Sequence, residues 1–346
     1  LADGALRRLR QIGWDPPQGD RLGDLGEEAL LARLIGLADR SPGLPVPPGD
    51  DAGGWAPSGR LSLISTDSLV EGVHFARGFQ TPYQVGVKAW AQAVSDLAAM
   101  GAVPEVGVVA AVLPSDTPVA VVEAIQLGLV ERASMDGAAL VGGDLSAGPV
   151  VSLSVTVVGG TADGNPVRMR GGRPGDVLVV TGELGGAAAA LQLLQLGGQA
   201  VPDSLMERLL TPGSRLAEGD RLRRLGVSAM TDISDGLRLD AGRLAGASGI
   251  GIEIWADRVP QPSQLRELLG AGALATALTG GEDYELLASV PPGRQADLLS
   301  SWPEELAPLS LVGVMVAGVG TRVLATRGGP EIQLDEEDGY QHFRTF

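Results

Sequence analysis

The chain has 346 residues with 42 acidic and 26 basic side chains, a formal charge of −16, and its composition is 44% apolar and 20% charged. That balance is typical of a globular protein and argues against a nucleic-acid partner, since a polyanion must be neutralised by Lys and Arg. Cysteine is absent and histidine occurs twice, which excludes disulfides, thiolate nucleophiles and Cys-ligated metals, nearly excludes a His-built zinc site, and leaves hard-metal chemistry through carboxylates.

Apolar runs such as 106–113 and 150–158 are too short for the ~18 residues that suggest a membrane helix. No charged-then-apolar leader precedes them, so a cytoplasmic protein with no membrane association is expected. Lys88 is the sole lysine and no Gly-Lys-Ser/Thr occurs, which rules out a Walker-type phosphate loop.

In chain order, residues 1–21 read as a polar, mobile lead-in. Helical spacing predicts a helix from Leu25 to Ala38 behind Asp24, and the Pro- and Gly-rich loop that follows holds GDDA at 49–52. Alternation predicts a strand over 61–67, then an Ala-rich helix over 85–100 closed by Gly101. A strand over 106–113, a helix over 118–134 and a strand over 151–158 complete one α+β unit. After a Gly- and Pro-dense turn, a second unit begins with a strand over 177–182. Helices at 186–196, 203–210 and 214–225 follow, then a strand at 227–233, a helix at 236–247, and strands at 250–254 and 284–290. The fold class is α+β, built of two α/β domains divided near residue 165: an extension over 1–21, a first domain over 22–165 and a second over 166–346.

Acidic residues gather where strands end or glycine-rich turns begin: GDD at 49–51, STD at 65–67, Asp96, GGD at 142–144, DISDG at 232–236 and GGEDYE at 280–285. Beside glycine, a carboxylate can approach phosphate or metal closely, although Asp and Gly are also the commonest turn residues. Asp96 stands in a mostly apolar helix, where its neighbours imply a buried carboxylate that needs a cation. Asp232 and Asp235, three apart at a strand-to-helix junction, could share one ion; Ser234 or Asp235 could equally cap the helix. The arginines of RMRGGRPGD (168–176) could clamp phosphate or line a solvated turn. His74 alone reads as a structural histidine. An aspartyl-phosphate mechanism lacks its Asp-x-Asp spacing, and a Ser–His–Asp hydrolase lacks its Gly-x-Ser-x-Gly elbow.

Taken together, GDDA, STDSLVEGVHF, VKAWAQAVSDLAAMGAVPE, GGDLSAGP, RGGRPGDVLVVTGELGGAAAAL, TDISDGLRLD and GGEDYELL, in this order from Gly49 to Leu287, with GYQHF at 339–343, resemble the thiamine-monophosphate kinase family. That family is a branch of the superfamily of aminoimidazole ribonucleotide (AIR) synthetase, selenophosphate synthetase and HypE. The resemblance covers nearly the whole chain beyond the first ~20 residues. It implies ATP- and Mg²⁺-dependent phosphorylation of thiamine monophosphate to thiamine diphosphate. It also implies an AIR-synthase-like first domain that binds ATP and Mg²⁺ and pairs its sheet across a homodimer, and an AIR-synthase-like second domain packed on it. Carried over by motif position, Asp51, Ser65, Thr66, Asp67, Asp96, Asp144, Asp232 and Asp235 would ligate several Mg²⁺ ions. Charge neutralisation would fall mainly to Asp51, Asp67, Asp96 and Asp232. Gly143, Asp144, Arg170 and Ser234 would contact ATP, and His74, Glu282 and Tyr340 would meet thiamine monophosphate. Two departures stand out: Ala187 where relatives commonly carry Ser, and Leu145–Ser146 where a Thr pair is frequent. The implied chemistry suits the composition. A phosphate monoester with a second pKa near 6 is already anionic at neutral pH and needs no general base, so charge neutralisation and positioning dominate. Selenophosphate synthetase and HypE chemistry would each require a cysteine or selenocysteine. The alternatives are another ATP-using member of the same superfamily with a different acceptor, or a non-catalytic protein that binds metal or nucleotide.

Overall fold

The computed structural model describes residues 3–16, 20–25, 27–38, 57, 61–197 and 200–333. Its contacts divide the chain into two compact units, Leu1–Leu97 with Val103–Asn165, and Ala98–Ala102 with Pro166–Phe346.

The first unit opens with helix α1 (Asp3–Leu9), where a mobile lead-in was expected. Leu6 and Leu9, three apart on one face, are buried, and α1 packs on α5 (Val119–Met135). Trp14 then stacks on Phe75 with ring centroids 5.8 Å apart and donates its indole N–H to the Gln80 carbonyl at 2.6 Å. These apolar anchors are few, so the surrounding charge masks them in the sequence. Over the helix expected at 25–38 the described residues are helical, as α2 (Leu22–Leu25) and α3 (Glu27–Ala38), with Gly26 outside the described residues.

Strands β1 (Ser62–Val70), β2 (Val103–Leu113), β3 (Ala139–Ala147) and β4 (Ser152–Gly160) form a sheet in the order β1-β4-β2-β3. β4 runs antiparallel to β1 and β2, and β3 is parallel to β2. Side chains alternate along each strand. One face carries the buried Leu69, Val109, Ala111, Leu153, Val155 and Val157. Gly107 lies against helix α4 (Pro82–Ala99), and a Cβ on it would sit 2.5 Å from the ring of the fully buried Trp90. The other face is open: Ile64 is 72% and Val108 38% exposed, among the cross-strand pairs Thr66–Thr156 and Ser68–Ser154, each 2.9 Å apart.

Strand β3 corrects the reading of GGD as a turn. Gly143 pairs with Val109, and a Cβ there would lie 2.0 Å from the Val109 carbonyl oxygen. The glycine therefore serves a close approach of two strands.

The second unit contains β5 (Val177–Thr181), α6 (Gly186–Leu196), α7 (Asp203–Leu210), α8 (Leu216–Arg224), β6 (Ala229–Ile233), α9 (Leu237–Ser248) and β7 (Gly251–Trp255). It continues with α10 (Ser263–Leu269), α11 (Ala273–Thr279), β8 (Glu285–Val290), α12 (Pro292–Ser300), β9 (Leu309–Val316) and β10 (Gly320–Leu324). Its six strands run β10-β7-β9-β5-β8-β6, antiparallel except for the parallel β10/β7 pair. Leu178, Val180, Ile233, Leu244, Ile254, Leu287 and Val312 form its main core, and Ala187, Leu205, Leu209 and Leu265 a smaller one. Ala187, one of the departures from the family pattern, is thus fully buried among apolar side chains. Burial of about 25 cal/mol per Å² of apolar surface favours a methyl group at such a place.

Candidate active site

On β1, alternation turns Ser65 and Asp67 to the face opposite Thr66. The Ser65 hydroxyl donates to the Asp96 carboxylate, reaching from α4 to β1, while Asp67 accepts the Ser68 N–H at 2.8 Å. Thr66 bonds Thr156 on the open face, so its hydroxyl is engaged away from Ser65 and Asp67. Asp96 is exposed, although Ser95 and Leu97 beside it are buried. This overturns the expectation of a buried carboxylate forced to find a cation: the helix turns its apolar stripe inward and leaves Asp96 on the rim. Asp144 is also exposed and accepts a 3.2 Å hydrogen bond from Ser146. Its register partner Ala110 faces Ser154, which faces Ser68. Within one chain, Asp144 therefore belongs to the open face, across the sheet from Ser65 and Asp67.

His74 is fixed by a short turn after β1. Its Nδ1 accepts the Val70 N–H at 3.1 Å, its own N–H goes to the Val70 carbonyl at 2.9 Å, and its carbonyl takes the Lys88 ammonium at 2.9 Å. With Nδ1 an acceptor, the neutral ring carries its proton on Nε2. The sole lysine, 1% exposed, thus helps to set where this imidazole stands.

In the second unit, Asp232 lies on β6 opposite Leu286, and the turn 234–236 leads into α9. Neither Ser234 nor Asp235 caps that helix. Its N-cap is Gly236, with φ 110° and no side-chain cap, and a Cβ there would lie 2.8 Å from the Thr279 carbonyl group. Asp235 pairs with Arg243 at 2.6 Å. The GGEDYE segment is stitched to the same turn: the Glu282 N–H bonds the Ser234 carbonyl at 2.8 Å and the Tyr284 N–H the Ile233 carbonyl at 2.9 Å. Glu282 and Tyr284 both hold positive φ, 68° and 51°, a conformation that side chains rarely adopt outside sites the surrounding structure enforces. Arg168, Arg170 and Arg173 are all exposed. Asp51 and Tyr340 lie outside the described residues, as do the GDDA and GYQHF motifs.

Three acidic residues matter here in ways the sequence reading missed. Asp283 turns inward and accepts the Gly185 N–H at 3.0 and 2.9 Å, at the start of α6; burial pushes its carboxyl up to about 8, against the pull of that bond. Glu285, 1% exposed, takes Arg215 at 2.5 and 2.6 Å and the Thr181 hydroxyl at 2.7 Å. Asp240 accepts the Ser234 and Asp235 N–H groups, each at 3.0 Å; burial raises it to about 6, against those bonds and Arg243. A usable signal was an acid beside buried apolar residues inside an element, as Asp240 is between Leu237 and Ala241.

Among the described residues no three carboxylate or imidazole side chains converge to form a metal site. The available donors are carboxylate and hydroxyl oxygens. This set fits Mg²⁺, which typically takes one or two carboxylates and completes its shell with water and substrate phosphate.

The two units, each a sheet with flanking helices, match in turn the models for the N-terminal domain (residues 49–161) and the C-terminal domain (residues 173–325) of AIR synthase related proteins. Fold and oxygen-rich loops thus define the class as a two-domain protein related to AIR synthase. Within that class, the thiamine-monophosphate kinase of Corynebacterium glutamicum is 36% identical over 289 residues, 78% of this chain and 83% of the relative. The crystal structure of thiamine-monophosphate kinase from Stenotrophomonas maltophilia K279a superposes with a TM-score of 0.77 at 36% identity, covering 85% of this chain and 95% of the other. A solved structure of AaThiL complexed with AMPPCP and TMP gives a TM-score of 0.72 at 32% identity, covering 94% and 99%. The chain belongs to the thiamine-monophosphate kinase family.

Proposed function

We propose that the protein transfers the γ-phosphoryl group of ATP directly and in line to thiamine monophosphate, giving thiamine diphosphate and ADP. The observation that carries this reading is the likeness, over nearly the full length of both chains, to a relative solved with AMPPCP and TMP. The proposed ligands of ATP-bound Mg²⁺ are Asp51, Ser65, Asp67, Asp96, Asp232 and Asp235, with Thr66 and Asp144 contributing from the open face of the β1–β4 sheet. When bound, several such ions would offset repulsion between the phosphates of donor and acceptor. Gly143, Asp144, Arg170 and Ser234 are the proposed nucleotide contacts, and His74, Glu282 and Tyr340 those of the acceptor.

The chain's own groups favour this chemistry. Among the candidate residues, oxygen donors predominate, and the His74 ring is held by its own turn. With a phosphate dianion as the attacking group, holding it near the donor is the main task, and no side chain needs to remove a proton. The open face of the β1–β4 sheet supports the proposed homodimer. No described helix is long and apolar enough to cross a membrane, and a cytoplasmic location is part of the same proposal.

The test is to incubate the purified protein with ATP, Mg²⁺ and thiamine monophosphate, with free thiamine as a parallel acceptor, and to separate the products as fluorescent thiochromes. Thiamine diphosphate from the monophosphate alone is expected. Mg²⁺-dependent ATP binding without that product would turn the search to acceptors of the sister enzymes.

A further inference from the structure

We infer that Asp240 is a positioning residue for the Ser234–Asp235 turn and that Arg243 is its partner; the inference rests on the nucleotide and metal role proposed for that turn. Asp240 is one turn into α9 and 2% exposed. Its Oδ2 accepts the N–H groups of both Ser234 and Asp235 at 3.0 Å, and its Oδ1 takes Arg243 at 2.6 Å. The other arm of the same guanidinium reaches the Asp235 carboxylate at 2.6 Å.

The arrangement replaces an ordinary helix cap. The N-cap position is a glycine with no side chain to offer, and the turn's first two N–H groups point back to a carboxylate from inside the helix. A buried carboxylate is tolerated only while its bonds are kept, so Asp240 restricts the turn to the conformation that satisfies it. Arg243 then fixes the direction of the Asp235 carboxylate. On the other side, the Ser234 carbonyl is held by the Glu282 N–H. The turn's main chain is thus tied on both sides and its Asp235 carboxylate is oriented by Arg243, which is the condition for presenting oxygen atoms to a phosphate-bound cation without reorganisation.

The test compares the full-length wild type with Asp240→Asn and Arg243→Gln. It measures Mg²⁺·AMPPCP binding by calorimetry, the Mg²⁺ concentration for half-maximal rate, kcat and both KM values, and thermal unfolding. Both folded variants are expected to bind Mg²⁺·AMPPCP about tenfold more weakly and to need about tenfold more Mg²⁺, as loss of an outer partner of a ligating group does, with the acceptor KM little changed. A purely structural role would lower Tm and leave the nucleotide and Mg²⁺ dependences as in the wild type; that result in folded variants overturns the inference. Arg243 is half exposed, so its variant decides the matter if Asp240→Asn does not fold. Wild-type protein that binds Mg²⁺·AMPPCP yet leaves thiamine monophosphate untouched defeats the acceptor reading, and the variants' binding still decides this one. Absence of nucleotide binding by the wild type overturns both.

Discussion

At the scale of single residues, the informative carboxylates are those whose surroundings differ from their neighbours'. Asp96 is exposed on an otherwise buried stretch of α4 and takes its hydrogen bond from Ser65. Replacing it with Asn keeps the shape and that bond while removing a charge. Asp96→Asn is expected to fold as the wild type does, by circular dichroism and Tm, and to lose thiamine diphosphate formation by at least about a hundredfold, the scale on which electrostatic groups act in transfer reactions. Full activity would remove Asp96 from the site. Asp283 predicts a pH effect. Its folded pKa of about 8 exceeds the ordinary value near 3.9, so between these values the folded state holds a proton that the unfolded state has released. The stabilisation from this group is complete below about pH 4 and is lost as pH rises towards 8. Asp283→Asn keeps an acceptor for the Gly185 N–H and carries no charge. Its Tm should fall less than that of the wild type between about pH 5 and about pH 8, and parallel Tm curves would refute the assignment. Asp240, Asp283 and Glu285 stood in quoted motifs without a role because whether a carboxylate turns into the core or out of it depends on tertiary neighbours. The motifs located the acidic loops, while the direction of each side chain needed the fold.

At the scale of elements, two glycines bring α4 and α5 together. A Cβ on Gly128 would sit 2.2 Å from the Tyr83 carbonyl oxygen, and one on Gly86 2.1 Å from that of Ile125. Gly128→Ala would gain ~1 kcal/mol in helix propensity, but the backbone atoms it meets cannot swing aside, and overpacking costs about 1–3 kcal/mol. Net destabilisation is expected in urea unfolding. Gly36, in the exposed part of α3 with nothing within 4 Å of a Cβ, is the control, and Gly36→Ala should stabilise by about 0.5–1 kcal/mol. Unchanged stability in the first variant would mean that the helices can separate freely. Element legibility followed periodicity. β1, β2 and β4 alternate or run apolar, and α4 to α9 show helical spacing between clear Gly and Pro stops, so these were placed within a few residues. β3 was hidden because Gly142 and Gly143 resemble turn residues when the pairing strand is unknown. α10 to α12 and the last two strands are not legible in the sequence, because helices of seven to nine residues hold too few turns to show a period and the run Leu309–Val316 is apolar at nearly every position and so shows no alternation.

At the scale of the whole molecule, the open sheet face is set against the net charge. Ile64 and Val108 stand exposed among paired hydroxyls on a face of four strands, and apolar patches of this kind mark association surfaces. Two chains of formal charge −16 repel each other, so a homodimer formed through this face must be held by apolar burial and hydrogen bonds rather than by charge attraction. The sign of its salt dependence follows. Added salt screens the repulsion over a Debye length that falls from roughly 30 Å at 0.01 M to 10 Å at 0.1 M, so the dimer should tighten as ionic strength rises, opposite to an interface built on ion pairs. Light scattering across a salt series measures this. Ile64→Lys, at a solvent-facing position that leaves the chain's own core intact, buries a lysine from each copy in the interface and should shift the protein to monomer with a cooperative unfolding transition retained. A wild type that is monomeric at micromolar concentration in high salt would overturn the homodimer, and an Ile64→Lys variant that dimerises as well as the wild type would move the contact to another surface.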